Sequence, residues 1–99
     1  MRYEVLLAPD AVEDLKRLRA YDRARVRDAI EGLRSDPKRT GRSRVKRLRG
    51  IHKPQYRLRV DDIRIFYDVA DEPEPRIEIL AIVPTKEAVA WLEREGLKS

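Results

Sequence analysis

Arg57, Arg59 and Arg64 are the side chains of this sequence whose type and spacing best suit chemistry. Tyr56, Leu58 and Val60 alternate with Arg57 and Arg59. After Asp61-Asp62, Ile63, Ile65, Tyr67 and Val69 alternate with Arg64, Phe66 and Asp68. Two runs of period two, split by two turn-prone residues, predict a β-hairpin. An Asp61-Asp62 loop sets Val60 opposite Ile63, Arg59 opposite Arg64, Leu58 opposite Ile65, Arg57 opposite Phe66 and Tyr56 opposite Tyr67. The apolar members then share a core face, and Arg57, Arg59, Arg64 and Phe66 share the other. Like charges directly opposed destabilise a sheet by up to about 1 kcal/mol. Binding an anion offsets that cost, because guanidinium forks match phosphate oxygens. The competing reading pairs these arginines with Asp68, Glu78 or a helix carboxylate.

The surrounding charge supports an anionic partner. Residues 1–60 hold 18 basic and 8 acidic side chains, net +10, whereas residues 61–99 hold 5 and 10, net −5. Between Arg34 and Arg59, 11 of 26 residues are basic and Asp36 is the only acid. Arg42, Lys46, Arg47, Arg49 and Lys53 belong to this block, which suits nucleic acid first and an acidic protein segment second. A solvated basic loop is the plainer alternative. Phe66 can stack a base or lie under the last helix. Trp91 can stack on RNA or be partly buried. His52 can shuttle protons, or be only an exposed loop residue.

These residues need elements to position them. Tyr3 to Leu7 reads as a first strand. Pro9 suits a first helical turn, and Val12, Leu15 and Leu18 recur at helical spacing over residues 9–18. Tyr21-Asp22 is expected to break this helix, with Asp22 as the N-cap of a second. That one runs to about Arg34 on a stripe of Val26, Ile30 and Leu33. Residues 38–44 read as a loop, 45–48 as a short strand, and 50–54 and 71–75 as turns. Residues 76–83 form a further, central strand. A last helix runs from Lys86 to about Glu95 on a stripe of Ala88, Val89 and Leu92, and Gly96 stops it. The order β-α-α-β-β-β-α predicts one α+β domain over residues 1–99, with an N-terminal helical hairpin on a small, mainly antiparallel sheet.

The inventory excludes several kinds of chemistry. Cysteine is absent and histidine occurs once, so no disulfide framework, thiolate nucleophile or Cys-ligated zinc is expected, and a metal site or a Ser-His-Asp triad is not anticipated. No run of about 18 apolar residues exists to span a membrane. The apolar stretch at the N-terminus is too short for a signal peptide and lacks a small-residue cleavage site.

Leu48-Arg49-Gly50, Tyr56-Arg57-Leu58-Arg59 and Ile63-Arg64-Ile65-Phe66-Tyr67 together resemble the core pattern of the RelE/ParE superfamily of bacterial and archaeal toxins. Ala11, Leu15, Leu18 and Asp36-Pro37 fit as well, so the resemblance covers nearly the whole chain. It implies a RelE-like microbial RNase fold and the toxin half of a toxin–antitoxin pair. The implied activity is a ribosome-dependent, metal-free and cofactor-free endoribonuclease that cuts mRNA by attack of a ribose 2′-OH on the adjacent phosphate, leaving a 2′,3′-cyclic phosphate. The implied partners are mRNA, the ribosome and a cognate antitoxin in the cytoplasm, with promoter DNA reached only through the antitoxin. Residue by residue, the family's basic strand positions fall on Arg57 and Arg59, the phosphate clamp on Arg64, and a later basic position near Lys86. The remaining RNA contacts expected are Lys46, Arg47, Arg49, Lys53, Phe66 and Trp91. The family's C-terminal tyrosine has no counterpart, since Trp91 or Leu92 stands there. Arginine stays charged and makes a poor base, so proton transfer falls to Lys46, Lys53, His52 or Lys86, or is missing. A ParE-like inhibitor of DNA gyrase and a non-catalytic nucleic-acid-binding module are the alternatives.

Overall fold

A computed structural model describes residues 2–40 and 44–96. Arg42 and the middle of the expected 38–44 loop lie outside the described residues. The elements are β1 (Glu4–Leu7), α1 (Pro9–Arg17), α2 (Ala20–Gly32), β2 (Val45–Arg47), β3 (Tyr56–Val60), β4 (Ile63–Ala70), β5 (Arg76–Pro84) and α3 (Thr85–Trp91). A π-type turn, Leu92–Gly96, continues α3. The strands form one sheet in the order β1-β5-β4-β3-β2. Its ladders are antiparallel except β1 with β5, which is parallel. The α+β expectation holds, with one strand more than the expected order, because Val45–Arg47 also pairs with β3.

The hairpin forms in the expected register, from Tyr56 opposite Tyr67 to Val60 opposite Ile63. Asp61 takes φ 51°, a left-handed turn conformation that Asp tolerates better than most residues. Leu58, Val60, Ile63, Ile65 and Tyr67 are buried in the main core with Ile77, Ile79 and Ile82 of β5. Val26 and Ile30 of α2 and Leu33 at its C-cap join that core, as their spacing predicts. Each such side chain contributes roughly 1.5–3 kcal/mol by burial. The Tyr67 hydroxyl donates to the Pro37 carbonyl at 2.7 Å and its ring stacks on Tyr56. Burial, then the neighbouring Tyr56, pushes the Tyr67 hydroxyl above its ordinary range.

Leu80 is a bulge: Phe66 pairs with Ala81, yet Tyr67 pairs with Ile79. The extra residue shifts the alternation, so Ile79 and Ile82 both enter the main core while Ala81 and Val83 face the other side. β1 covers β5 only as far as Ile79. Beyond it, the Asp14 carboxylate of α1 accepts the Ile82 N–H at 3.0 Å and satisfies the open edge.

Two helix boundaries differ from expectation. The break falls at Leu18 and Arg19, both extended, and α2 starts at Ala20 with Arg19 in the cap position. Asp22 is therefore not the N-cap. It lies in the first turn of α2, paired with Arg19 at 3.6 Å. The Arg23 side chain explains the early break: it donates to the Leu18 carbonyl (2.7 Å) and the Leu15 carbonyl (3.4 Å), closing the α1 C-terminus. In α3, Ala88, Trp91 and Leu92 face the sheet, while Val89 is 66% exposed. Ala88 and Leu92 of the expected stripe hold, and Trp91 takes the place of Val89. Both sets have helical spacing, and Phe66 decides between them by offering Trp91 a flat partner.

Candidate nucleic-acid interface

The sheet face opposite α1 and α2 carries the cations in two rows. Lys46 lies across from Arg57, and Arg57 across from Phe66. In the next row Arg59 lies across from Arg64, and Arg44 adjoins it, since its carbonyl accepts the Arg59 N–H at 3.1 Å. Arg44 had not been singled out from the sequence. Its period-two spacing from Lys46 was the available signal, because alternate residues of a strand share a face.

Among the described residues, no carboxylate is ion-paired to Arg44, Lys46, Arg57, Arg59 or Arg64. Three acids of the hairpin and of β5 are engaged elsewhere. Asp61 binds Arg25 at 2.9 Å, and Asp68 and Glu78 both hold Lys53 at 3.5 Å. The competing reading of the arginine ladder therefore fails for these carboxylates. Among the described residues, the Arg64 guanidinium donates only to backbone carbonyls, those of Asp61 (3.1 Å) and Ile63 (3.4 Å). The Arg57 Nε is buried without a hydrogen-bond partner. Its pKa is lowered by burial first, then by Arg64 and Arg59. Arg44, Arg59 and Arg64 line a polar depression of about 660 Å³ together with Asp22, Asp61 and Asp62.

The other expected contacts scatter. Phe66 is fully buried, and Trp91 stacks flat on it at 4.8 Å and 4°. Phe66 thus packs under the last helix and offers no open ring to a base. Trp91 is half-buried. Arg47 turns to the opposite face, where its guanidinium lies 5.2 Å from the Tyr56 ring and donates to the Gln55 carbonyl at 2.8 Å. Lys53 is tied to its two carboxylates, away from the arginine rows. Arg49 and His52 are exposed on the loop after β2. Lys86 is exposed on the first turn of α3, which the Thr85 N–H ties to the Asp62 carbonyl at the hairpin turn (2.6 Å). Among the described residues, no group of three or more His, Cys, Asp or Glu is placed to hold a metal ion. No helix there is long and apolar enough to cross a membrane.

Residues 5–89 match the family model for the ParE toxin of type II toxin–antitoxin systems. The chain belongs to this family. It is a type II toxin of the RelE/ParE superfamily. No curated protein matches the sequence. Among solved structures, the toxin is similar to the RelBE2 toxin–antitoxin complex from Mycobacterium tuberculosis, with TM-score 0.69 and 26% identity over 85% of this chain and 99% of that one. It is similar to the archaeal RelE-RelB complex from Pyrococcus horikoshii, with TM-score 0.71 and 27% identity over 86% and 97%. A variant of the toxin RelE from E. coli in the free state shares the fold, with TM-score 0.74 and 18% identity over 99% and 97%.

Proposed function

We propose that the toxin is a RelE-like endoribonuclease that cuts mRNA on the ribosome and so halts translation. The carrying observation is the pair of cationic rows that have no carboxylate partner among the described residues, centred on an Arg57 whose Nε is buried and, among those residues, unpaired. Such a cluster repels itself, and an RNA phosphate supplies the missing acceptor. In the proposed reaction the 2′-OH oxygen bonds to phosphorus while the bond to the 5′-oxygen breaks. The phosphate gains charge on its way to the 2′,3′-cyclic product. Arg57, Arg59 and Arg64 stabilise that charge, a kind of contribution that is often the largest in catalysis. Lys46, directly across from Arg57, is the lysine best placed to take the 2′-OH proton, which it does as the neutral amine, and Lys86, an ammonium on the helix tied to the hairpin turn through Thr85, is the candidate to give one to the leaving 5′-oxygen. No residue assigned here calls for a metal or cofactor.

The RelBE2 and RelE-RelB structures are complexes of toxin with antitoxin. By that likeness a cognate antitoxin holds this toxin in check, with acidic side chains meeting the cationic rows and promoter DNA bound through the antitoxin. mRNA and ribosomes as targets place the toxin in the cytoplasm. The family model favours a second reading, inhibition of DNA gyrase without nuclease chemistry. Tightly controlled expression of the toxin and of Arg64→Ala separates the two, with mRNA 5′ ends mapped and gyrase supercoiling assayed. Codon-phased cuts that vanish in the variant support the ribonuclease. Intact mRNA with blocked supercoiling transfers the reading to gyrase.

A further inference from the structure

The hydrogen-bonding of β3 and β4 changes character at Gln55. One residue further along, at Tyr56 and Tyr67, the strands pair by backbone. At Gln55 side chains take over: the Gln55 N–H donates to Asp68 Oδ1 at 2.7 Å, and Gln55 Oε1 accepts the Val69 N–H at 2.9 Å. The Gln55 carbonyl in turn accepts the Leu48 N–H at 2.9 Å, which closes the 48–55 loop into a ring. Asp68 Oδ2 reaches Lys53 of the same loop at 3.5 Å. From the other side Gly96 sits on the loop, so close that a β-carbon there would lie 3.4 Å from Pro54 and 3.5 Å from Ile51. Pro54 is fully buried. Leu48 packs against the cluster of Phe66 with Trp91, so the loop leaves the sheet beside that cluster, and the exposed Arg49 is the next residue along it.

We propose that Asp68 is a positioning residue for RNA binding: its carboxylate fixes Gln55 and Lys53, and through them aims Arg49 along the cationic face. The proposal rests on the RNA reading above. Asp68 does not touch RNA itself, and Lys53 serves as its counter-ion rather than as an RNA contact. An acid near a polyanion is unfavourable by itself, yet this one is only 19% exposed and shielded by Lys53. Its two oxygens are both used within the loop clamp.

The test is a double-mutant cycle with a fluorescein-labelled single-stranded RNA oligonucleotide, using the toxin, Asp68→Ala, Arg49→Ala and the double variant. Asp68→Ala is expected to weaken binding roughly threefold to tenfold alone and less than twofold in the Arg49→Ala background, as coupled residues do. Asp68→Asn keeps an oxygen for the Gln55 N–H but loses the ion pair with Lys53, and is expected to restore part of the binding; an affinity no better than that of Asp68→Ala overturns the proposal. Equal losses in both backgrounds, or an unchanged affinity in Asp68→Ala, overturn the proposal. Amide hydrogen exchange at Gln55 supplies the readout that needs no RNA: it accelerates in Asp68→Ala if the clamp holds the loop, and an unchanged rate overturns the clamp. RNA left unbound by the unaltered toxin overturns the RNA reading instead, whatever Gln55 shows.

Discussion

One hairpin furnishes both faces of the sheet, and the two faces obey different rules. Leu58, Ile65 and Tyr67 point inward, are buried, and meet apolar neighbours from α2 and β5. The lone polar atom among them, the Tyr67 hydroxyl, has its acceptor. Arg57, Arg59 and Arg64 alternate with them and point outward, with no carboxylate partner among the described residues. Alternation means that neither face can be changed by shifting the register without destroying the other. The inner face is organised for stability. The outer face holds charge at some cost to stability, which is the signature expected of a surface kept for a ligand.

Four substitutions or conditions probe that division. The largest effect is expected from Ile65→Ala on the inner face. Deleting a fully buried isoleucine lowers unfolding free energy by about 2–5 kcal/mol, measured by denaturant titration, while the folded fraction still binds RNA normally. Arg57→Met on the outer face is expected to do the reverse. RNA cleavage falls about 10²–10³-fold if the guanidinium stabilises the transition state. Stability holds or rises by no more than about 1 kcal/mol, because one buried unpaired atom is removed and solvent screens the rest. A large loss of stability in Arg57→Met would erase the distinction between the faces. Arg59→Gln gives a smaller effect: the slope of log affinity for single-stranded RNA against log salt becomes shallower by about 0.7. An unaltered slope means Arg59 meets no phosphate.

The smallest effect concerns pH. Hydrogen bonds from Lys38 first and then Tyr3 hold the Asp71 carboxyl below the usual carboxylate range. A depressed carboxylate stabilises the fold above its unfolded value, and the contribution is lost as pH falls through the folded one. The Lys38 ammonium is raised by its hydrogen bond to Asp71, and Tyr3 is raised by the same acid. Both contributions are present below their ordinary values near 10 and are lost as pH climbs through the folded ones. Thermal melts should show Asp71→Asn less stable than the unaltered toxin at neutral pH, with the gap closing in strong acid. A gap that persists in acid counts against the clasp.

Local pattern carried much of this molecule. The hairpin register was readable because alternation and a two-residue turn both act within a dozen residues. What the sequence concealed came from contacts distant along the chain. The parallel pairing of β1 with β5 joins Glu4 to Arg76, and no local signal reports it. Lys53 looked like an RNA contact because its partners, Asp68 and Glu78, come together only through the β4–β5 register. Arg47 sits in the same basic run as Lys46, but period two puts it on the other face, and the notion of a single basic patch ignored that parity. Trp91 fell outside the assumed stripe because three apolar positions on a short helix fit two faces equally.

The contact between Asp14 and Ile82 has a consequence for assembly. A bare strand edge invites another chain to add itself, and β5 is bare where β1 stops. With a carboxylate seated on the Ile82 N–H, that stretch accepts no newcomer. Strand exchange between copies is thereby discouraged at the middle of the sheet and directed to its flanks, the outer sides of β1 and β2.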